Sequence, residues 1–205
     1  MQSTNDLHVL LDDEISPRRI SRRELAQTLL AGAAAGFISP LSSAIHPIHK
    51  HLWNAALLDS ADARLSAKND HPLFLSAQQF AALDVLSETI VPGSRKAQSA
   101  AFIDLLLSAD AHEAQQKFIN SLSAFESASQ NNFHTAIISL SFSQLHDLLT
   151  SLSASDSASL KHSNHLKDWI VGAYYSSEIG MRELGWTPDR VFSTFPSCSH
   201  PNGHA

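Results

Sequence analysis

Between Ser76 and Leu184 the apolar residues recur every three or four positions, and no segment alternates apolar and polar residues convincingly with a period of two. Such a chain buries helical stripes rather than sheet faces, so it is expected to be all-α, a small helical bundle. Ser76 with Gln79 has capping-box spacing, and Phe80, Leu83, Leu86 and Ile90 form the stripe of a helix that Pro92-Gly93 ends. Phe102, Leu105 and Leu106 mark a second helix over Ala101 to Ala109; Phe118, Leu122 and Phe125 mark a third over His112 to Ala128. Asn131-Asn132 is expected to break that run before a short helix from Phe133 to Leu140, and Ser143 to cap Gln144 to Leu152. The alternating serines Ser151, Ser153, Ser155, Ser157 and Ser159 read as a flexible loop. The last helix is expected to run unbroken from Lys161 to Leu184, with Leu166, Ile170, Tyr174, Met181 and Leu184 on one face. Gly172 and Gly180 inside it each cost about 1 kcal/mol relative to Ala, so another backbone or bulky side chains are expected to approach closely there.

Composition narrows the function. The 205 residues make one domain's worth of chain, and a net charge of −6 argues against nucleic acid as a partner. A single cysteine, Cys198, excludes an internal disulfide and any Cys-rich metal or cluster site. None of the seven glycines lies in a phosphate-cradling loop. Ser176 and Ser177 lack a nucleophile-elbow setting, and Glu178 with Arg182, four residues apart, reads as a helix-face ion pair rather than an acid–base dyad. No catalytic, cofactor-binding or metal residue is assigned in this chain.

The first 44 residues read as an address. Arg22-Arg23 directly precede a mildly apolar run of fourteen residues, Leu25 to Ile38, followed by Pro40 and the small residues Ser42, Ser43 and Ala44. A helix needs roughly 20 apolar residues to span a bilayer, so this run is too short. A basic segment, a short apolar segment and a small-residue end are the parts of a secretory signal. An arginine pair before weak hydrophobicity is the twin-arginine type, which the twin-arginine translocase reads and which exports folded cargo to the periplasm. Residues 45–75 read as a linker or strap with a short helix around Trp53 to Leu65, 76–185 as the helical domain and 186–205 as an irregular tail.

Twelve histidines cluster at His46, His49 and His51, at His162 and His165, and at His200 and His204 beside Cys198. A His-rich periplasmic metal-binding protein is therefore the alternative reading, although no closed zinc spacing is present. In an oxidising compartment Cys198 reads either as a thiol paired with another chain or as a small buried hydrophobe. Trp169, Tyr174, Tyr175 and Trp186 gather around the helical glycines, which suits an interface core and a domain core equally.

Three blocks carry a resemblance. Leu86-Ser87-Glu88-Thr89-Ile90-Val91-Pro92-Gly93, the block from Ala173-Tyr174-Tyr175-Ser176-Ser177-Glu178-Ile179-Gly180 to Trp186, and Phe195-Pro196-Ser197-Cys198 with His200-Pro201 resemble, in order and spacing, the gluconate 2-dehydrogenase subunit 3 family. The departures are Gly172-Ala173 before the tyrosines, Ser176 for Thr and Ser197 for Gly. The resemblance implies a non-catalytic small subunit of a periplasmic FAD-dependent dehydrogenase of the glucose–methanol–choline type, acting on sugars or sugar acids. It implies FAD in a large partner subunit, a cytochrome c subunit that commonly takes the electrons, and association with the inner membrane through the complex. The small subunit then supplies the export signal through Arg22 and Arg23 and supports its partner's folding. Tyr174, Tyr175, Glu178, Met181 and Trp186 are its expected interface, and Cys198 its expected intersubunit disulfide.

Overall fold

A computed structural model describes residues 21–22, 47–51, 54–67, 71–154 and 157–185. Among these the protein is all-α: α1 Ala55–Ala67, α2 Ala77–Ile90, α3 Ser99–Ser108, α4 His112–Phe133, α5 Phe142–Ala154, α6 Ser157–Tyr175 and α7 Glu178–Glu183, with 3-10 turns at His49–His51 and Ile137–Ser139. No described helix is long and apolar enough to cross a membrane.

The bundle is organised on α6, which packs against α2, α3, α4, α5 and α7. Its buried residues Leu166, Trp169, Ile170, Ala173 and Tyr174 follow the three-then-one spacing that keeps a single stripe facing inward. Phe118 of α4 meets the Trp169 ring edge-on at 5.6 Å, and Leu83, Leu86, Leu106, Phe125 and Leu148 close around them. Ser76 forms the expected capping box: its hydroxyl accepts from the Gln79 amide, and its own amide donates to the Gln79 side chain.

Several boundaries differ from the sequence expectation, each for a local reason. The cap of α5 is Ser141 rather than Ser143; its Oγ accepts from the Gln144 amide at 3.3 Å while its amide donates to Gln144 Oε1 at 2.9 Å. Asn131-Asn132 does not break α4, which continues to Phe133 so that this ring packs on the core, and His134 ends it in the left-handed region. Beyond it lies only a 3-10 turn, which buries Ile137. The serine run is helical on both sides: Ser151 and Ser153 belong to α5 and Ser157 and Ser159 to α6, with 155–156 outside the described residues. The last helix is two helices, because Ser176-Ser177 interrupts it. The short helix expected around Trp53 to Leu65 is present as α1, and it buries Leu57, Leu58 and Ala61 in the core.

One buried acid fastens the segment before α2. Asp104 sits in α3 among Phe102, Ile103, Leu105, Leu106 and Leu107, all buried. Its carboxylate accepts from the amides of Leu73, Phe74 and Leu75 at 2.6, 3.1 and 2.8 Å. Losing it strands the buried Leu75 amide, at roughly 1–3 kcal/mol, and takes the charged acceptor from the part-buried Leu73 and Phe74 amides. Asp104→Ala is expected to cost on the order of 3 kcal/mol or more in denaturant unfolding, and Asp104→Asn less, because the amide oxygen keeps part of the network. Unchanged stability of Asp104→Ala would show that the carboxylate does not anchor this segment.

Candidate functional site

Two of the blocks singled out in the sequence meet at Tyr174, and the first arginine of the pair lies against the second block. In the first block Glu88 closes the turn after α2: Oε1 accepts from the Gly93 amide at 3.0 Å and Oε2 from the Arg95 amide at 2.8 Å. Those bonds, Arg95 first and Gly93 second, hold the Glu88 carboxyl below its ordinary value of 4.5. Gly93 has φ +95°, and a Cβ there would lie 3.2 Å from the Tyr174 hydroxyl. The positive φ favours glycine strongly, and the tight contact adds to that preference.

In the second block α6 ends at Tyr175, and the chain reverses onto it. Ser177 Oγ donates to the Tyr174 carbonyl at 2.6 Å and accepts from the Gly180 amide at 3.1 Å, capping α7. A Cβ on Gly180 would collide with the Tyr174 carbonyl oxygen, so the close backbone approach expected at this glycine is present. The tyrosine rings meet edge-on at 5.1 Å. Tyr174 is fully buried and its hydroxyl has no hydrogen-bond partner among the described residues. Burial pushes the phenol up to about 12, and the nearby Glu183 carboxylate adds to the shift. It stays protonated near neutral pH and cannot serve there as a base.

Arg22, 4% exposed, ties the second block to the Ala97 carbonyl, four residues beyond the first. Nη2 donates to the Ala97 carbonyl at 3.0 Å, and Nη1 to the Ala173 carbonyl at 3.3 Å and Ser176 Oγ at 3.1 Å. The guanidinium carbon stands 3.8 Å above the Phe102 ring centre, and the Arg22 amide donates to Asp62 Oδ1 at 3.2 Å. Burial lowers the Arg22 pKa to about 10, opposed by the Asp62 charge. These groups hold and orient; none is a nucleophile near neutral pH.

The expected interface residues divide. Tyr174 and Met181 are buried in the chain itself, and Tyr175 and Glu178 are partly exposed. Glu178 makes the expected ion pair with Arg182, at 2.8 and 3.0 Å. Leu184 is 64% exposed because the break at Ser176-Ser177 turns it away from the stripe it was expected to continue. Arg23, Trp186 and Cys198 lie outside the described residues. So do His46, His200 and His204, along with the side chain of His49. His162 and His165 each place Nδ1 3.1 Å from Ser121 Oγ, and burial lowers His165 to about 4. Among the described residues no three His, Cys, Asp or Glu side chains gather as metal ligands. Sequence reasoning did not foresee the roles of Glu88, Phe102 and Ser177. An acid five residues before a Pro-Gly turn's glycine was the available signal for the first.

The model of the family described as gluconate 2-dehydrogenase subunit 3 matches residues 77–189, more than half of the chain. The chain belongs to the gluconate 2-dehydrogenase subunit 3 family. The match contains both blocks that meet at Tyr174. Neither a curated protein nor a solved structure matches the chain.

Because the Glu88 pKa is depressed in the folded chain, its contribution to stability is complete above about pH 4.5 and is lost as pH falls through the folded value. Glu88→Gln, which cannot titrate, is expected to lower Tm by about 2–4 °C at pH 7. The difference from the parent should close as the pH is taken well below 4.5. A gap that persists unchanged in acid would contradict the charge-assisted turn.

Proposed function

We propose that this protein is the non-catalytic small subunit of an FAD-dependent sugar or sugar-acid dehydrogenase. In this reading it carries the twin-arginine export signal and supports the folding and export of a large flavoprotein subunit in the periplasm. The observation that carries the reading is the family match over 77–189. The chemistry of the site favours it as well: a protonated phenol, capped serines and a bonded guanidinium suit a scaffold that presents a surface. The surface proposed for the large subunit is the edge at α7, where Tyr175 and Glu178 are partly exposed and Leu184 is open. Trp186 follows one residue after Gly185 in sequence. Tyr174 and Met181 act behind this edge, holding its shape. FAD and electron transfer to a cytochrome c subunit belong to the partners in this reading, and Cys198 is the thiol proposed to bond to the large subunit.

Co-expression with a flavoprotein dehydrogenase, with and without this chain, tests the proposal through flavin absorbance and sugar-dependent dye reduction in the periplasmic fraction. Activity there is expected only with both chains present. Tyr175→Ala or Trp186→Ala should each weaken association by on the order of 2 kcal/mol, about thirtyfold, without loss of helix content. Leu184→Asp should weaken it too, again with the fold retained. On a non-reducing gel the complex should run as one covalent heterodimer that Cys198→Ser abolishes. Full exported activity from the large subunit alone would refute the accessory role.

A further inference from the structure

The Arg22 side chain ends in a site built for a planar cation. Its acceptors come from two different parts of the chain: the Ala97 carbonyl at the end of the turn after α2, and the Ala173 carbonyl and Ser176 hydroxyl at the end of α6. The Phe102 ring forms the floor at 3.8 Å, a distance at which a ring face attracts a cation. A fork with donors on two nitrogens reaches both sides at once and stacks flat on the ring; the single ammonium of a lysine does neither. A surface pocket lined by Ala61, Arg64, Gln98, Ala101, Phe102 and Leu105 opens over the arginine, so the site has a route to solvent.

The arginine is held without being locked. Among the described residues its guanidinium bonds two carbonyls and a hydroxyl rather than a carboxylate, and its buried Nε has no partner. Asp62 contacts the Arg22 main chain and acts on the guanidinium only through its charge. Burying a cation among neutral dipoles is costly, and hydrogen bonds offset only part of that cost. Three hydrogen bonds and the ring contact are what hold the arginine against that cost.

We propose that the helical body contains a guanidinium pocket, that Arg22 occupies it in the isolated chain, and that the first arginine of the pair is thereby withheld from the export receptor until a partner moves the end of α6. The export consequence rests on the reading of Arg22-Arg23 as an address; the pocket itself does not. The coupling follows from position. Ala173 and Ser176, which hold the guanidinium, flank the Tyr174 and Tyr175 positions next to the proposed docking edge. Ser176 Oγ donates to the Ala173 carbonyl at 3.0 Å, so the two acceptors move together. A large subunit seated at Tyr175 and Glu178 would load this turn and release Arg22, so that a chain still without its partner keeps this arginine covered.

The pocket is tested on the purified full-length chain. Arg22→Ala is expected to lower Tm by about 4 °C or more. Millimolar methylguanidinium should restore part of that loss, and methylammonium at the same ionic strength should not. An unchanged Tm, or equal recovery with both cations, overturns the pocket. The latch is tested in cells making the chain without a large subunit, using Phe102→Leu with Ser176→Ala, both outside the arginine segment and both checked for cooperative unfolding. The expected result is a several-fold rise in periplasmic protein over the parent. The control is Arg22→Lys with Arg23→Lys. If that control is exported normally, the address reading fails and the pocket is judged on the methylguanidinium result alone. If the control is retained and the pocket variant is exported no better than the parent, the latch is overturned.

Discussion

Tyr174 is clamped between two glycines, and the end of the bundle takes its shape from that clamp. The Gly93 turn lies against its hydroxyl, and Gly180 of α7 lies against its carbonyl. A Cβ at Gly180 would overlap the Tyr174 carbonyl, while one at Gly93 would crowd the hydroxyl and would sit on a backbone conformation that other residues rarely adopt. The ring is too large and too well buried to move aside, so the backbone has come to it. Glu88 fixes the turn from below by binding two of its amides, and Ser177 fixes the reversal by capping α7. Two of the segments that carry the resemblance are thus in direct contact.

The contact region has an outer face and an inner one. The outer face carries the partly exposed Tyr175 and Glu178 and the open Leu184, turned outward by the break after α6. The inner face holds the Arg22 guanidinium through the Ala173 carbonyl and Ser176. A contact made on one side is separated from the other by a single helical turn. Interior packing is too dense to absorb such a displacement silently, so a shift imposed on the outer face would be felt at the arginine.

Much of this was legible in the sequence, and what was missed had physical reasons. Period-3.6 stripes such as Phe118, Leu122 and Phe125 name buried faces because a helix repeats its geometry. The Ser76–Gln79 cap was legible because it is local, with both partners within one turn. The break at Ser176-Ser177 was not, since Met181 and Leu184 keep helical spacing while the two hydroxyls bond backbone carbonyls instead. Asn131-Asn132 looked like a stop, but burying Phe133 outweighs two weak helix formers. The Arg22 site was invisible for a deeper reason. Two of its acceptors are main-chain carbonyls 75 and 151 residues away, and carbonyls have no signature in a sequence.

The claim on which the rest depends is that the Gly93 turn and Tyr174 press on each other. A double-mutant cycle with Gly93→Ala and Tyr174→Phe, followed by denaturant unfolding, measures it directly. Removing the hydroxyl leaves ring carbons at 3.5 and 3.8 Å from the new Cβ, which is ordinary contact, while the backbone strain at position 93 is the same in both backgrounds. Gly93→Ala is therefore predicted to cost less in the Tyr174→Phe background, with a coupling of about 0.5 kcal/mol or more. Additivity to within about 0.3 kcal/mol would mean that the two blocks do not bear on each other.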